Sequence, residues 1–576
     1  MRAGPGRWVG LLVRVALLAV TIWGSNLWLV HIRDSLAAHR SLLVGQPALG
    51  EATSPLVQQA VIVLVSGLTY DASLEMPFLN DLREQGLDAR CRGYYPSYTQ
   101  SAWTTIISGA SPEINDAPLL DLPYEQLPFL TVDGLFTEAK RANLRTGLAG
   151  FHWWEHLVSE AVLDDSFFVT ATDAEADSQV VETALAFMSG LPPNLLFIQL
   201  SQVSHAASAY GADSQQYRDA VESADSLLRT IAQAVSLSRN VLVVASDHGY
   251  LADGGHGGAD QEVIITPFVS AGARITPGTD GELDQTDVAP TIAALLGLAV
   301  PSAAQGEILF DFLSLDEGES TEKWVAWAQQ RVELSDVYLQ SMGQPGVSEA
   351  SRGDAEVAYS SLLVRNYTSA RRLATFAVQG ATAEMVKGRA QRIAGEQTRR
   401  LPVAVIPVLA AAYLLWRRWT RTTAALFFSA LGSVFIYHLL FVWEGEVYSF
   451  STMGPWEDFV TETILRLATA LLPAVAVMIW LAWRQPRRRP SQIASLNYSF
   501  ALVLLFLLAL PLAASYVLNG FDVTWRLPDP LFSFLQVSSL LQLGLVAFLT
   551  LFVPLFTVPL DRVLRWIAAK VGFPRR

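Results

Sequence analysis

Apolar residues along this chain come in blocks. Trp8–Val30 is an almost unbroken apolar run carrying one charge, Arg14. Five more runs follow Arg400, at about Leu401–Trp416, Thr423–Trp443, Phe459–Trp483, Tyr498–Leu518 and Leu531–Leu560. All of these five except Leu401–Trp416 reach the roughly 20 residues that a helix needs to cross a bilayer. That short run either lies at the interface or borrows length from its polar flanks. Between the first run and the rest the pattern changes: short β-branched stretches alternate with helical periodicity, which predicts a mostly parallel α/β sheet between helices. Strands are expected at Val61–Val65, Leu195–Leu200, Val241–Ala245 and Ile264–Ser270. Helices are expected around Met76–Glu84, Ser214–Val235 and Val288–Leu296, the last with Thr286 or Asp287 near its N-cap. From about Asp316 to Arg400 strand signals disappear, and Trp324, Trp327, Val332 and Leu334 are the candidate packing residues of a helical stretch. The pattern divides the chain into an anchor (1–31), an α/β domain (32–315), a helical connector (316–400) and a five-span bundle with a basic tail (401–576).

Charge gives this plan a direction. Short segments on one side of the spans carry Arg2 and Arg7, Arg417, Arg418 and Arg421, then Arg484 and Arg487–Arg489, and the tail adds Arg562, Arg565, Lys570, Arg575 and Arg576. The opposite loops, Glu444–Asp458 and Asn519–Pro530, are acidic and nearly free of basic residues. The excess of basic residues on the cytoplasmic side of membrane proteins therefore predicts a multi-pass protein with both termini in the cytoplasm and the α/β domain outside it. No small-residue cleavage site follows the first run, so an uncleaved anchor is expected. Between His31 and Arg400 lie 46 acidic and 23 basic residues. Such a negative domain argues against nucleic acid as a partner and leaves the lipid bilayer as the one implied by the spans. Cys91 is the only cysteine, which excludes an intrachain disulfide and a thiolate metal cluster. Within the spans, Glu462 and Arg466 sit i, i+4 and read as an intrahelical pair near the outer interface, and His438 lies in another span.

Chemistry concentrates in Val241–Gly258. A β-type run ends in Asp247-His248-Gly249, and His256 follows in a glycine-rich loop. A carboxylate and two imidazoles gathered at a strand end suit a divalent metal such as zinc. Upstream, Tyr95-Pro96-Ser97-Tyr98-Thr99 precedes a helical stretch that ends at Ser108-Gly109. A Thr hydroxyl at that point has its pKa lowered by a metal and by the helix N-terminus, and is then able to attack phosphorus. His152 and His156, at helical spacing on either side of Trp153 and Trp154, read as a packed wall beside a substrate cleft.

Taken in order, the strand, the Pro-x-x-Thr loop with its later Ser-Gly, Asp-His-Gly and Gly254-Gly255-His256-Gly257 resemble the alkaline phosphatase superfamily, in its nucleotide pyrophosphatase/phosphodiesterase-like branch. Gly67-Leu68 with Asp71, Met76-Pro77-Phe78-Leu79, Ser111-Pro112-Glu113 and Thr286-Asp287-Val288-Ala289-Pro290-Thr291 extend the match over roughly 61–300. The layout of one N-terminal span, an outer domain and a polytopic C-terminal part also resembles the membrane ethanolamine-phosphate transferases.

The resemblance implies an alkaline-phosphatase-like α/β domain with Thr99 as nucleophile and two zinc ions. One ion would be held at Ser66, Thr99, Asp247 and His248, where the family has an Asp in place of Ser66. The other would be held at Ser204, Ser208 and His256, where the family has Asp and His in place of the two serines. A serine hydroxyl is a poor zinc ligand, so the expected complement is Thr99, Asp247, His248 and His256 around one divalent ion or fewer. Two functions follow as expectations. One is a phosphodiesterase or phosphotransferase acting outside the cytoplasm through Thr99, on a lipid-linked phosphate substrate. The other is a catalytically silent pseudoenzyme kept as a binding or scaffolding protein in a membrane complex.

Overall fold

The computed structural model describes residues 5–454, 456–483, 490–552, 562 and 566. Arg2, Arg484, Arg487–Arg489, Arg565, Lys570, Arg575 and Arg576, and the last apolar run beyond Phe552, lie outside them. The chain forms two compact units, one of residues 1–35, 395–523 and 528–576, the other of residues 36–394 and 524–527.

The second unit is built on one eight-stranded sheet. Its strands are β1 (Ala60–Val65), β2 (Leu87–Arg92), β3 (Thr146–Phe151), β4 (Asp165–Val169), β5 (Leu195–Leu200), β6 (Val241–Ala245), β7 (Ile265–Gly272) and β8 (Thr279–Asp284). The spatial order is β4-β3-β5-β1-β6-β7-β2-β8. Only β7 runs against its neighbours, pairing antiparallel with β6 and β2, so the sheet is mixed but mostly parallel. The central strands β5, β1 and β6 are buried along their whole length, because helices cover both faces. The four strands expected from the sequence and the helices Pro77–Gln85, Gln215–Ala234 and Val288–Leu296 all form, within a residue or two of their expected bounds.

Two buried carboxylates fasten helix starts beneath the site. Asp225 accepts from the amides of Phe78 (2.9 Å) and Leu79 (3.0 Å). Asp177 accepts from those of Ser201 (2.8 Å) and Gln202 (3.1 Å) and so fixes the helix Gln202–Tyr210. Burial raises the Asp177 pKa to about 6 although both amides oppose it. Of the candidate packing residues in the connector, Trp327, Val332 and Leu334 are buried, on a helix spanning Glu317–Ser341. Trp324 is partly buried and stacks on Phe310 at 4.6 Å.

Six helices among the described residues are long and apolar enough to cross a membrane. They fall at Leu12–Ala37, within Tyr367–Arg417, and at Arg421–Trp443, Trp456–Leu481, Ala494–Asn519 and Pro530–Leu551. The short Leu401–Trp416 run is thus the end of a 51-residue helix and does not stand alone. Arg466 pairs with Glu462 at 2.9 Å, as the i, i+4 spacing predicted, and also with Glu444 and Glu446, which sequence separation had hidden. His438 Nδ1 lies 3.1 Å from the Tyr448 hydroxyl.

Candidate functional site

Three adjacent strands deliver the site. Ser66 follows β1, Ser201 follows β5 and Ser246-Asp247 follows β6, so all three exits meet at the carboxyl edge of the sheet, where open α/β folds bind ligands. Gly67 makes this meeting possible. Its φ is +78°, and a Cβ there would lie 2.6 Å from the Cα of Ser204, so the Ser66 turn and the Ser204 helix approach as closely as backbone allows.

Asp247 is fully buried and fully committed. Its Oδ2 accepts from the Ser66 hydroxyl (2.7 Å) and the Trp103 indole N–H (2.7 Å). Its Oδ1 accepts from the backbone amides of Gly67 (3.0 Å) and His248 (2.9 Å). A carboxylate offers about four lone-pair positions, and here protein donors fill four. Trp103 is held in place by a parallel stack on Trp154, with centroids 4.5 Å apart and planes 4° apart. Gln285 Nε2 donates to the Asp247 carbonyl at 2.7 Å and fixes the backbone behind it.

Thr99 opens the buried helix Thr99–Ser108, with Tyr98 as N-cap, and its Oγ1 lies 2.9 Å from His248 Nε2. His248 Nδ1 is 3.1 Å from the Gly249 carbonyl, which only accepts. The proton of a neutral ring therefore belongs on Nδ1, and Nε2 accepts from Thr99. Burial favours that neutral ring: it pulls the His248 pKa down, against the opposing field of Asp247.

His256 does not converge with His248 on a common point. The two imidazoles stack at 4.5 Å with planes 14° apart, so their in-plane lone pairs lie in separate, nearly parallel layers. His256 Nε2 instead faces Asp121 Oδ2 at 3.4 Å. Gly257 (φ +95°) passes so close to the Tyr98 ring that a Cβ would sit 2.5 Å from it, which fixes the His256 loop against the Thr99 helix.

Thr99, Ser66, Asp247, His248, Ser204 and His256 thus share one neighbourhood. Ser204 Oγ is spent on the Tyr250 hydroxyl at 2.9 Å, while Ser208, His205 and Asp71 are exposed. Among the described residues, no group of three or more His, Cys, Asp and Glu side chains is placed to hold a metal ion. Asp247, His248 and His256 lie together, with the lone pairs of Asp247 taken by protein donors and the two imidazoles stacked face to face.

Sequence reasoning missed Asp121, Tyr250 and the role of Trp103. Asp121 sits in a loop with no motif, 135 residues from His256, so nothing short of the fold reveals it. Tyr250 directly follows Asp-His-Gly, a position that could have drawn attention. Trp103 falls four residues after Thr99, one turn along the helix, a spacing that does place both on one face. His152 and His156 form the expected wall. Tyr124 lies between them at 4.7 and 4.5 Å, its hydroxyl donates to Glu155 at 2.5 Å, and Trp153 reaches Trp103 at 6.4 Å.

Comparison with known proteins agrees with the resemblance seen in the motifs. The profile of the type I phosphodiesterase / nucleotide pyrophosphatase family matches residues 60–116. The chain is 24% identical over 341 residues to the catalytic subunit of GPI ethanolamine phosphate transferase 2 of Homo sapiens, covering 54% of this chain and 34% of that protein. It is 25% identical over 228 residues to the catalytic subunit of the human transferase 3, covering 38% of this chain and 20% of the relative. The chain therefore spans about a third or less of the length of these two relatives. Among solved structures it aligns with murine ectonucleotide pyrophosphatase / phosphodiesterase 5 at 13% identity and a TM-score of 0.37, over 45% of this chain and 100% of that one. A protein of the alkaline phosphatase superfamily from Vibrio parahaemolyticus aligns at 16% identity and a TM-score of 0.35, over 52% and 82%.

Proposed function

We propose that this chain is a multi-pass membrane protein with an extracytoplasmic phosphotransferase-like domain that has given up metal-dependent turnover and serves as a binding or scaffolding component. The observation that carries this reading is the saturation of Asp247. Zinc needs ligands with a free lone pair aimed at one point. Here the carboxylate gives its lone pairs to Ser66, Trp103, Gly67 and His248. Ser66 and Ser204 donate to or share with protein groups, and a neutral hydroxyl is a weak zinc ligand in any case. The residues present do not fit a zinc pair, and fit a single ion only if Asp247 abandons its donors. Paired ions normally clamp the attacking and leaving oxygens of phosphoryl transfer. The resemblance to GPI ethanolamine phosphate transferases supports a lipid-linked ligand. The excess of basic residues in the short segments on one side of the spans supports an outward-facing domain.

A second reading keeps one observation on its side. The Thr99 hydroxyl is 2.9 Å from an imidazole nitrogen whose partner nitrogen is oriented by a carbonyl, the arrangement of an activated nucleophile. On that reading Thr99 still transfers a phosphoryl group, with at most one divalent ion.

One experiment separates the two. The full chain, purified in detergent, is loaded with zinc, dialysed, and assayed for metal content and for hydrolysis of an aryl phosphodiester, beside Thr99→Ala. Silence predicts well under one ion per chain and equal background rates for both proteins. One firmly held ion with a rate that disappears in Thr99→Ala would establish the enzyme.

A further inference from the structure

A cavity of about 100 Å³ opens beside the aromatic wall, lined chiefly by Ile107, Phe129, Val132, Phe136, Leu157 and Val162. Its lining is chiefly apolar, with Thr137 and Ser159 as polar members, and lies wholly within the α/β unit. Phe129 stands at its mouth with 64% of its surface exposed. A large aromatic left in water beside an apolar hollow marks a place where apolar ligand surface can be buried.

The cavity is joined to the site by a continuous chain of rings. Phe129 stacks on His156 (5.3 Å), His156 meets Tyr124 (4.5 Å), and Tyr124 meets His152 (4.7 Å). His152 meets Phe151 (4.3 Å), Phe151 meets Trp153 (5.4 Å), and Trp153 meets Trp103 (6.4 Å), whose indole holds Asp247. Most of these rings are partly exposed rather than sealed in the core. The Nδ1 atoms of His152 and His156 are buried without a hydrogen-bond partner, so each ring presents its face rather than that nitrogen.

Charge limits what could lie on this track. The segments that build it, Asp121–Thr137 and Gly147–Leu163, contain Asp121, Glu125, Asp133, Glu155 and Glu160 and no lysine or arginine. Arg141, just beyond these segments, is engaged by Asp133 and Glu138. An anionic headgroup would meet repulsion with nothing to pair it; an uncharged or cationic polar group would not.

We propose that this cavity and ring track form a binding site for a membrane-derived amphiphile, with part of its aliphatic chain in the cavity and a non-anionic polar part over Tyr124, His152 and His156. The proposal deepens the silent-binding reading by naming the ligand class, and it rests on that reading only for its purpose. The anatomy suits the chemistry: aliphatic carbon is stabilised by burial in the cavity, while the partly exposed rings offer flat faces to a polar group.

The test uses the full chain in lipid nanodiscs with a dodecyl glycoside bearing a diazirine on its alkyl chain, and a sulfated analogue of the same chain length. After irradiation, labelled peptides are mapped by mass spectrometry. The expected result is label on peptides carrying Phe129–Phe136 and Leu157–Val162, at least fivefold less with the sulfated probe. Val162→Phe, which fills the cavity, should reduce that label several-fold. Phe129→Ala changes an exposed side chain, so it should fold normally and also lose label. Label confined to the membrane-spanning peptides, label equal for both probes, or label unchanged in both variants would overturn the proposal. Metal content and phosphodiester turnover are read separately, so activity found there would sink the silent reading and leave this site standing.

Discussion

The commitment of Asp247 to four donors makes a prediction that distinguishes a structural carboxylate from a metal ligand. Asp247→Asn keeps one acceptor oxygen for the Gly67 and His248 amides but turns an amide NH₂ toward the Ser66 hydroxyl and the Trp103 indole. Ser66 can rotate to accept; an indole N–H cannot. One buried donor-to-donor contact, together with the loss of a charge-assisted bond, is expected to cost about 2–4 kcal/mol. Trp103→Phe removes the same indole donor and leaves Oδ2 with Ser66 alone, at about 1.5–3 kcal/mol for the bond and somewhat more for lost packing on Trp154. In the double variant the clash is gone, so its cost should fall about 1–2 kcal/mol short of the sum. Native-state hydrogen exchange reads this directly, because the amides of Gly67 and His248 are themselves bonded to Asp247; the opening free energy of peptides carrying them is the measured quantity. Excess zinc supplies the opposite control. An ion present at a thousand times its dissociation constant would add about 4 kcal/mol of protection, whereas none is expected. Additivity within about 0.5 kcal/mol, or strong zinc protection of the wild-type chain, would refute the reasoning.

Two further predictions concern pH and are read as differences in melting temperature between wild type and variant. His39 is buried, and burial pulls its pKa below the ordinary 6.5 despite the fields of Asp116 and Glu113. The unfolded chain therefore binds a proton that the folded chain refuses, and the stability present above pH 6.5 is lost as pH falls below it; His39→Leu should flatten that loss. Glu138 behaves in the opposite sense. Burial and a hydrogen bond with Asp133 raise its pKa from 4.5 to about 8, against Arg141. Its contribution is full below pH 4.5 and is lost as pH rises toward 8, a decline that Glu138→Gln should remove.

Much of the fold was legible because its signals are local. The apolar runs at Val61–Val65, Leu195–Leu200 and Val241–Ala245 are fully buried strands, and six helices among the described residues with the length and hydropathy of spans match the apolar blocks. The order of strands was not legible, since β2 reaches the far side of β7 by pairings that no local pattern encodes. At the site, the motif register brought Ser66, Thr99, Asp247, His248 and His256 to one region. What the motifs could not convey was direction. Whether His256 aims at the same point as His248 depends on Tyr98, Gly257 and Asp121, which lie up to 159 residues apart in the chain. The donor role of Trp103 depends on its stack with Trp154, a contact between separate segments.

The Trp103–Asp247 bond also constrains how this chain can change over evolutionary time. An aspartate at position 66 alone would set a second buried carboxylate where a hydroxyl now donates at 2.7 Å, a like-charge contact in the core. Removing Trp103 alone would strip Asp247 of a donor and give nothing in return. Ser66, Trp103 and Asp247 are thus coupled, and a change at one of them is tolerated best when its partners change with it. The indole N–H therefore acts as a lock: it fills the side of Asp247 that faces it, and any single change on that side leaves a buried polar group without its partner.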